Sequence, residues 1–117
     1  LELRDGEAIG TSGDYQRYFE LDGRRYCHLL DPRTGRPAEG TQAVTVLILP
    51  REGAGALSDA ASKPLFIAAA GEWRGLARRL GVDHALRIDG AGAMHLTAAL
   101  RERLSLLAAD VRVEVEP

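Results

Sequence analysis

Gln42-Ala43-Val44-Thr45-Val46-Leu47-Ile48-Leu49 decides the fold. The stretch is rich in β-branched residues and apolar at both odd and even positions, so it reads as a strand covered on both faces. Such a strand lies inside a sheet that carries further layers. Upstream, residues 8–13 read as a short strand running into a Gly-flanked turn. Residues 15–21 and 24–30 are β-prone and separated by Asp22-Gly23. That pair favours the positive φ angles of a tight hairpin. Residues 31–40 hold Pro32, Gly35, Pro37 and Gly40 and read as loop.

Downstream of the central strand, residues 50–55 form a break. Ser58 reads as an N-cap, with Asp59 at the positive end of a helix over residues 59–70. Pro64 inside that pattern predicts a kink or a late start. Residues 72–80 read as a second helix, with Trp73, Leu76, Ala77 and Leu80 on one face and Gly81 closing it. Residues 85–89 and 93–96 pattern as a hairpin around Gly90-Ala91-Gly92. Thr97 caps a third helix over residues 98–107, with Leu100, Leu104 and Leu107 at core spacing. Val111, Val113 and Val115 alternate with charged residues, as in a half-buried or edge strand. The fold class is therefore α+β: a twisted, mostly antiparallel sheet with about three helices, in a single domain over residues 1–117. The doubly apolar strand also suits one half of a larger sheet.

Composition narrows the function. The 117 residues carry 15 basic and 17 acidic side chains, a formal charge of −2, so no basic excess favours a nucleic-acid partner. No apolar run approaches the roughly 20 residues of a membrane span. The single cysteine, Cys27, excludes an internal disulfide framework. The chain starts at Leu1 and its one methionine is Met94, which predicts a piece of a longer protein. Lys63 is its only lysine.

Three clusters carry possible chemistry. Thr11-Ser12-Gly13 at a strand end offers hydroxyl and backbone N–H donors suited to a phosphate, or simply to a hydrogen-bonded turn. His28 and Asp31 stand at a strand-to-loop exit, where a histidine can shuttle a proton near neutral pH. Asp31-Pro32 is equally a turn initiator. Asp59 with Lys63 four residues on is either a metal or charge anchor or an ordinary i,i+4 surface pair. His84 and His95 show no comparable neighbourhood in the sequence and read as surface or packing residues.

In series, Thr11-Ser12-Gly13-Asp14-Tyr15, Tyr18-Phe19, Asp22-Gly23, Arg25-Tyr26, His28-x-x-Asp31-Pro32-x-Thr34-Gly35-x-Pro37, Val44-Thr45-Val46 and Asp59-Ala60 before Leu65-Phe66 resemble the C-terminal part of the ApbE-type FAD:protein FMN transferases. The resemblance runs over residues 8–70. It implies binding of FAD, a divalent metal (usually Mg2+), and transfer of FMN to a threonine of a target flavoprotein with release of AMP. By position it implies His28 as the acid–base residue and Asp59 as the metal ligand. Thr11, Ser12, Gly13 and the Leu30 backbone become nucleotide contacts. The family carries a threonine serving the metal where this chain has Lys63. An ammonium cannot ligate a cation, so Lys63 reads as a phosphate contact or metal surrogate. The resemblance also implies a separate N-terminal half completing the pocket, and a place in the periplasm or on the outer face of the cytoplasmic membrane. The rival readings are a non-catalytic flavin-nucleotide-binding or interaction module and a structural piece that pairs with an N-terminal chain.

Overall fold

A computed structural model describes residues 1–106 and 110–117. The chain runs β1 (Ala8–Gly13), β2 (Tyr18–Leu21), β3 (Arg24–Cys27), β4 (Leu30–Asp31), β5 (Arg36–Pro37), β6 (Thr41–Ile48), α1 (Ala54–Ile67), α2 (Trp73–Arg79), β7 (His84–Asp89), β8 (Met94–Thr97), α3 (Ala98–Arg103) and β9 (Val113–Glu116). A five-stranded sheet has the order β1-β6-β7-β8-β9. Its neighbours are antiparallel except β8 and β9, which pair in parallel.

β6 sits between β1 and β7, and its alternation feeds two cores. Val44, Val46 and Ile48 join Leu65 and Phe66 of α1, Trp73 and Ala77 of α2, Val82 and Ala85. Leu47 joins Leu96 and Leu100, backed by Leu86, Met94, Leu104 and Val113. The doubly apolar pattern is thus satisfied by helix layers on opposite faces. Gly10 of β1 lets α1 lie close. A Cβ there would stand 2.5 Å from the Ser58 carbonyl oxygen and 2.8 Å from the Asp59 nitrogen. Asp22 and Gly23 have φ of 51° and 74°, and the hairpin they close pairs Tyr18 with Cys27 through Leu21 with Arg24.

Several expectations need correction. The first helix starts at Ala54, capped by Gly53 in the left-handed region (φ 73°), and ends at Ile67. Ser58 is therefore internal: its hydroxyl donates to the Gly55 carbonyl at 2.8 Å, the back-bond open to a serine inside a helix. Asp59 consequently lies mid-helix, away from the positive dipole end. Pro64 falls in the last turn, and the carbonyl it leaves without a donor belongs to Ala60, which is exposed to water. The second hairpin arm stops at Cys27, and the expected loop over residues 31–40 contains a two-residue hairpin, Leu30 opposite Pro37 and Asp31 opposite Arg36. Leu80 follows α2 on the exposed side. Thr97 does cap α3, accepting from the Leu100 N–H at 3.3 Å, but that helix ends at Arg103. Leu107 lies outside the described residues.

Candidate functional site

β1, the loop before β2, the residues after β3 and the middle of α1 surround a hollow of about 320 Å³. Its walls include Thr11, Ser12, Gly13, Arg17, His28, Leu29, Asp59 and Lys63. The imidazole and the carboxylate singled out in the sequence therefore face one space. Its volume lies at the low end of the roughly 300–1,000 Å³ typical of ligand cavities, which suits part of a dinucleotide rather than all of one.

His28 is exposed and leaves β3 where the backbone still pairs with the segment before β2. Its N–H donates to the Arg17 carbonyl at 3.2 Å. The same carbonyl lies 2.8 Å from Nδ1. A carbonyl only accepts, so Nδ1 carries the hydrogen and the neutral ring presents Nε2 as an acceptor. One backbone oxygen thus fixes both the position of the residue and its tautomer.

On α1, Lys63 Nζ lies 2.8 Å from Asp59 Oδ1 and 3.1 Å from the Asp59 carbonyl oxygen. Both side chains are substantially exposed, at 43% for Lys63 and 74% for Asp59. An exposed i,i+4 pair contributes only about 0.3–0.5 kcal/mol. The contact directs the ammonium more than it holds the fold. Beneath it, Ser62 Oγ donates to the Asp59 carbonyl at 2.8 Å and sits 2.7 Å from Ser12 Oγ. Since the Ser62 hydrogen goes to that carbonyl, Ser12 donates to Ser62. This buried relay ties β1 to α1 directly under the ion pair.

The remaining residues singled out in the sequence are placed as follows. Thr11 Oγ1 lies 2.9 Å from Thr45 Oγ1, its register partner on β6. By strand alternation Thr11 and Ser12 point to opposite faces. Leu30 has an exposed side chain and stands outside the lining, where its neighbour Leu29 is found. Asp31 initiates a turn: its carboxylate takes Arg33 Nε at 3.0 Å, Nη2 at 2.8 Å and the Arg33 N–H at 2.9 Å. The Arg33 contacts hold its pKa below the usual carboxylate value.

Two features of the site carry little or no signal in the sequence. The Ser12–Ser62 link was accessible only in part, since Ser62 stands three residues after Asp59 at helical spacing. The Arg17 carbonyl gave no side-chain signal. His95, away from this hollow, also has a neighbourhood that the sequence hides. Its Nε2 is 2.8 Å from Asp89 Oδ2, and Nδ1 is 3.1 Å from Glu116 and 3.4 Å from Glu114. The Asp89 hydrogen bond, then those of β9, raise its pKa against the opposing effect of burial.

Known proteins resemble this chain over most of its length. The family model for the ApbE family matches residues 1–86, which contain every wall of the hollow. The FAD:protein FMN transferase of Rhodobacter capsulatus is 44% identical over 104 residues, 89% of this chain and 19% of that protein. The FAD:protein FMN transferase of Vibrio cholerae is 57% identical over 42 residues, 36% of this chain and 12% of that protein. Among solved structures, the ApbE protein of Thermotoga maritima superposes with a TM-score of 0.69 at 36% identity, over 80% of this chain and 30% of its own. The flavinyl transferase ApbE of Pseudomonas stutzeri gives 0.66 at 38% identity, over 87% and 32%. The chain thus spans about a fifth of the Rhodobacter relative (19%) and about a third of the solved ones (30% and 32%). With most of its length matched, and with the matched residues building both the sheet and the hollow, the chain belongs to the ApbE family.

Proposed function

We propose that this chain supplies the phosphate-binding and acid–base side of an FAD:protein FMN transferase whose remaining pocket comes from an N-terminal half. The observation that carries this reading is the shared hollow, with His28 presenting Nε2 on one wall and Lys63 and Asp59 on another. FAD is the substrate, and a threonine of a flavoprotein is the acceptor. His28 Nε2 takes the threonine hydroxyl proton as the oxygen attacks the FMN-side phosphorus. The bond from that phosphorus to the bridging oxygen breaks, AMP leaves with the electron pair, and FMN remains on the threonine as a phosphoester.

The family resemblance implies Mg2+ beside Asp59, and the residues present do not fit it. Mg2+ takes near-octahedral oxygen coordination from one or two carboxylates, waters and substrate phosphates, and needs at least one carboxylate free of a competing cation. Asp59 is the one carboxylate among the walls of the hollow, and its Oδ1 already holds the Lys63 ammonium. No step is therefore assigned to a metal. The same ion pair favours the second reading, a flavin-nucleotide-binding module without transfer activity. We place the protein, with its family, in the periplasm or on the outer face of the cytoplasmic membrane. Among the described residues no helix is long and apolar enough to cross a membrane.

The experiment supplies FAD and a threonine-bearing flavoprotein to this chain, with and without the remaining half of an ApbE relative. Transfer of FMN is read by the mass gain of the acceptor. The transferase reading predicts labelling only when both halves are present, abolished by His28→Ala. FAD binding without labelling selects the module, and labelling that survives His28→Ala removes the proposed base.

A further inference from the structure

We propose that Lys63 is the built-in cation of this site. It engages the bridging phosphates of the dinucleotide directly, so that the chain takes its nucleotide without a divalent metal. The inference rests on the flavin-nucleotide reading above and specifies how that ligand is held.

An ammonium has three N–H donors. Two are directed to Asp59, one to Oδ1 at 2.8 Å and one to the backbone carbonyl at 3.1 Å. The third has no protein acceptor among the contacts of Lys63. Two bonds to its own helix bias Nζ toward the wall of the hollow. Asp59 is thus a positioning residue for the ammonium. The Ser12–Ser62–Asp59 relay holds that stretch of α1 against β1.

Charge supports the same assignment. The fixed charges on the walls are Arg17, Lys63 and Asp59, one positive charge in excess. A space of that sign attracts a phosphate and resists a divalent cation. A metal seated on Asp59 would have to displace the ammonium and then remain beside it. Lys63 thereby supplies what a phosphoryl group requires of a cation, a charge held against its oxygens.

Two measurements on the intact chain test this. The first is FAD fluorescence quenching in EDTA and in excess MgCl2, for the wild type, Lys63→Thr and Asp59→Asn. The wild type is expected to bind equally in both buffers. Lys63→Thr is expected to lose about 10- to 100-fold in EDTA, the value of one charge-assisted hydrogen bond. Asp59→Asn, which loosens the anchor of the ammonium, is expected to weaken metal-free binding less than Lys63→Thr does. Magnesium-dependent binding by the wild type, abolished in Asp59→Asn, overturns the proposal. The second probe is inorganic pyrophosphate in EDTA, which should slow acylation of Lys63, followed by peptide mass spectrometry. No protection overturns the Lys63 assignment. Protection by pyrophosphate without FAD binding, even after the remaining half of an ApbE relative is added, upholds Lys63 and instead sinks the flavin reading. Circular dichroism of each variant confirms that the fold is retained.

Discussion

Replacing Gly10 by alanine should push α1 off the sheet. The added Cβ would stand 2.5 Å from the Ser58 carbonyl oxygen, 2.6 Å from its carbon and 2.8 Å from the Asp59 nitrogen. All three are backbone atoms, so no side-chain rotation relieves the clash. Ordinary carbon–oxygen contact needs roughly 3.3–3.6 Å, so helix and strand must separate by close to 1 Å. Overpacking of this kind costs about 1–3 kcal/mol. A chain of this size loses about 4–8 °C in Tm for each kcal/mol. The displaced segment carries Asp59, Ser62 and Lys63, so FAD affinity should fall with stability. Gly55→Ala is the control. It also lies on α1, a Cβ there meets nothing within 4 Å, and alanine should stabilise by about 0.4–1 kcal/mol. Urea denaturation of both variants reads the difference. A Gly10→Ala protein as stable as the wild type would refute the close approach of β1 to α1.

Other outcomes follow from the same packing and charges. Leu100→Ala, at 2% exposure in the smaller core, should cost about 2–5 kcal/mol in urea denaturation, whereas Leu106→Ala on the surface should cost little. The raised pKa of His95 means that its stabilising contribution is fully present below about 6.5. That contribution is lost as pH rises through the folded value. Hydrogen exchange of β8 and β9 should therefore speed up more over that range in the wild type than in His95→Gln; parallel pH profiles would refute the link. Glu7, held down to about 2 by Arg103 and Arg4, contributes in the opposite sense. Its stabilisation is present above the usual glutamate value of 4.5 and lost as pH falls through about 2. Arg103→Met should flatten the acid limb of the unfolding profile.

What the sequence disclosed depended on how local the cause was. β6 was legible because apolar residues on both parities admit few other placements. Asp22-Gly23 and Thr97 were legible because a turn and a cap are decided within a few residues. The start of α1 was not. Ser58-Asp59 looks like a cap, while the true one, Gly53, bears no side chain and signals only through its positive φ. The face that α1 buries is built largely from Ala54, Ser58, Ala61 and Ser62, whose small side chains weaken the helical period. The hairpin of β4 and β5 is too short to pattern. The parallel partnership of β9 with β8 joins segments through a connection that local preference does not specify. At the site, His28, Asp59 and Lys63 were legible as residue types. Their convergence came from the packing of α1 on β1 and from the bonds of His28 to the Arg17 carbonyl, which are nonlocal. The Arg17 carbonyl was invisible because any residue supplies one.

The most direct test of the shared phosphate-binding hollow uses the uniqueness of Lys63 as the only lysine. Biosynthetic labelling with 13C,15N-lysine marks it and leaves all three N–H donors in place, and histidine ring signals can be followed in the same sample as FAD is added. The account predicts that the Lys63 Cε and His28 ring resonances shift together along one saturation curve, with those of His84 and His95 unmoved. Shifts of His28 without Lys63, or no shift of either, would contradict it.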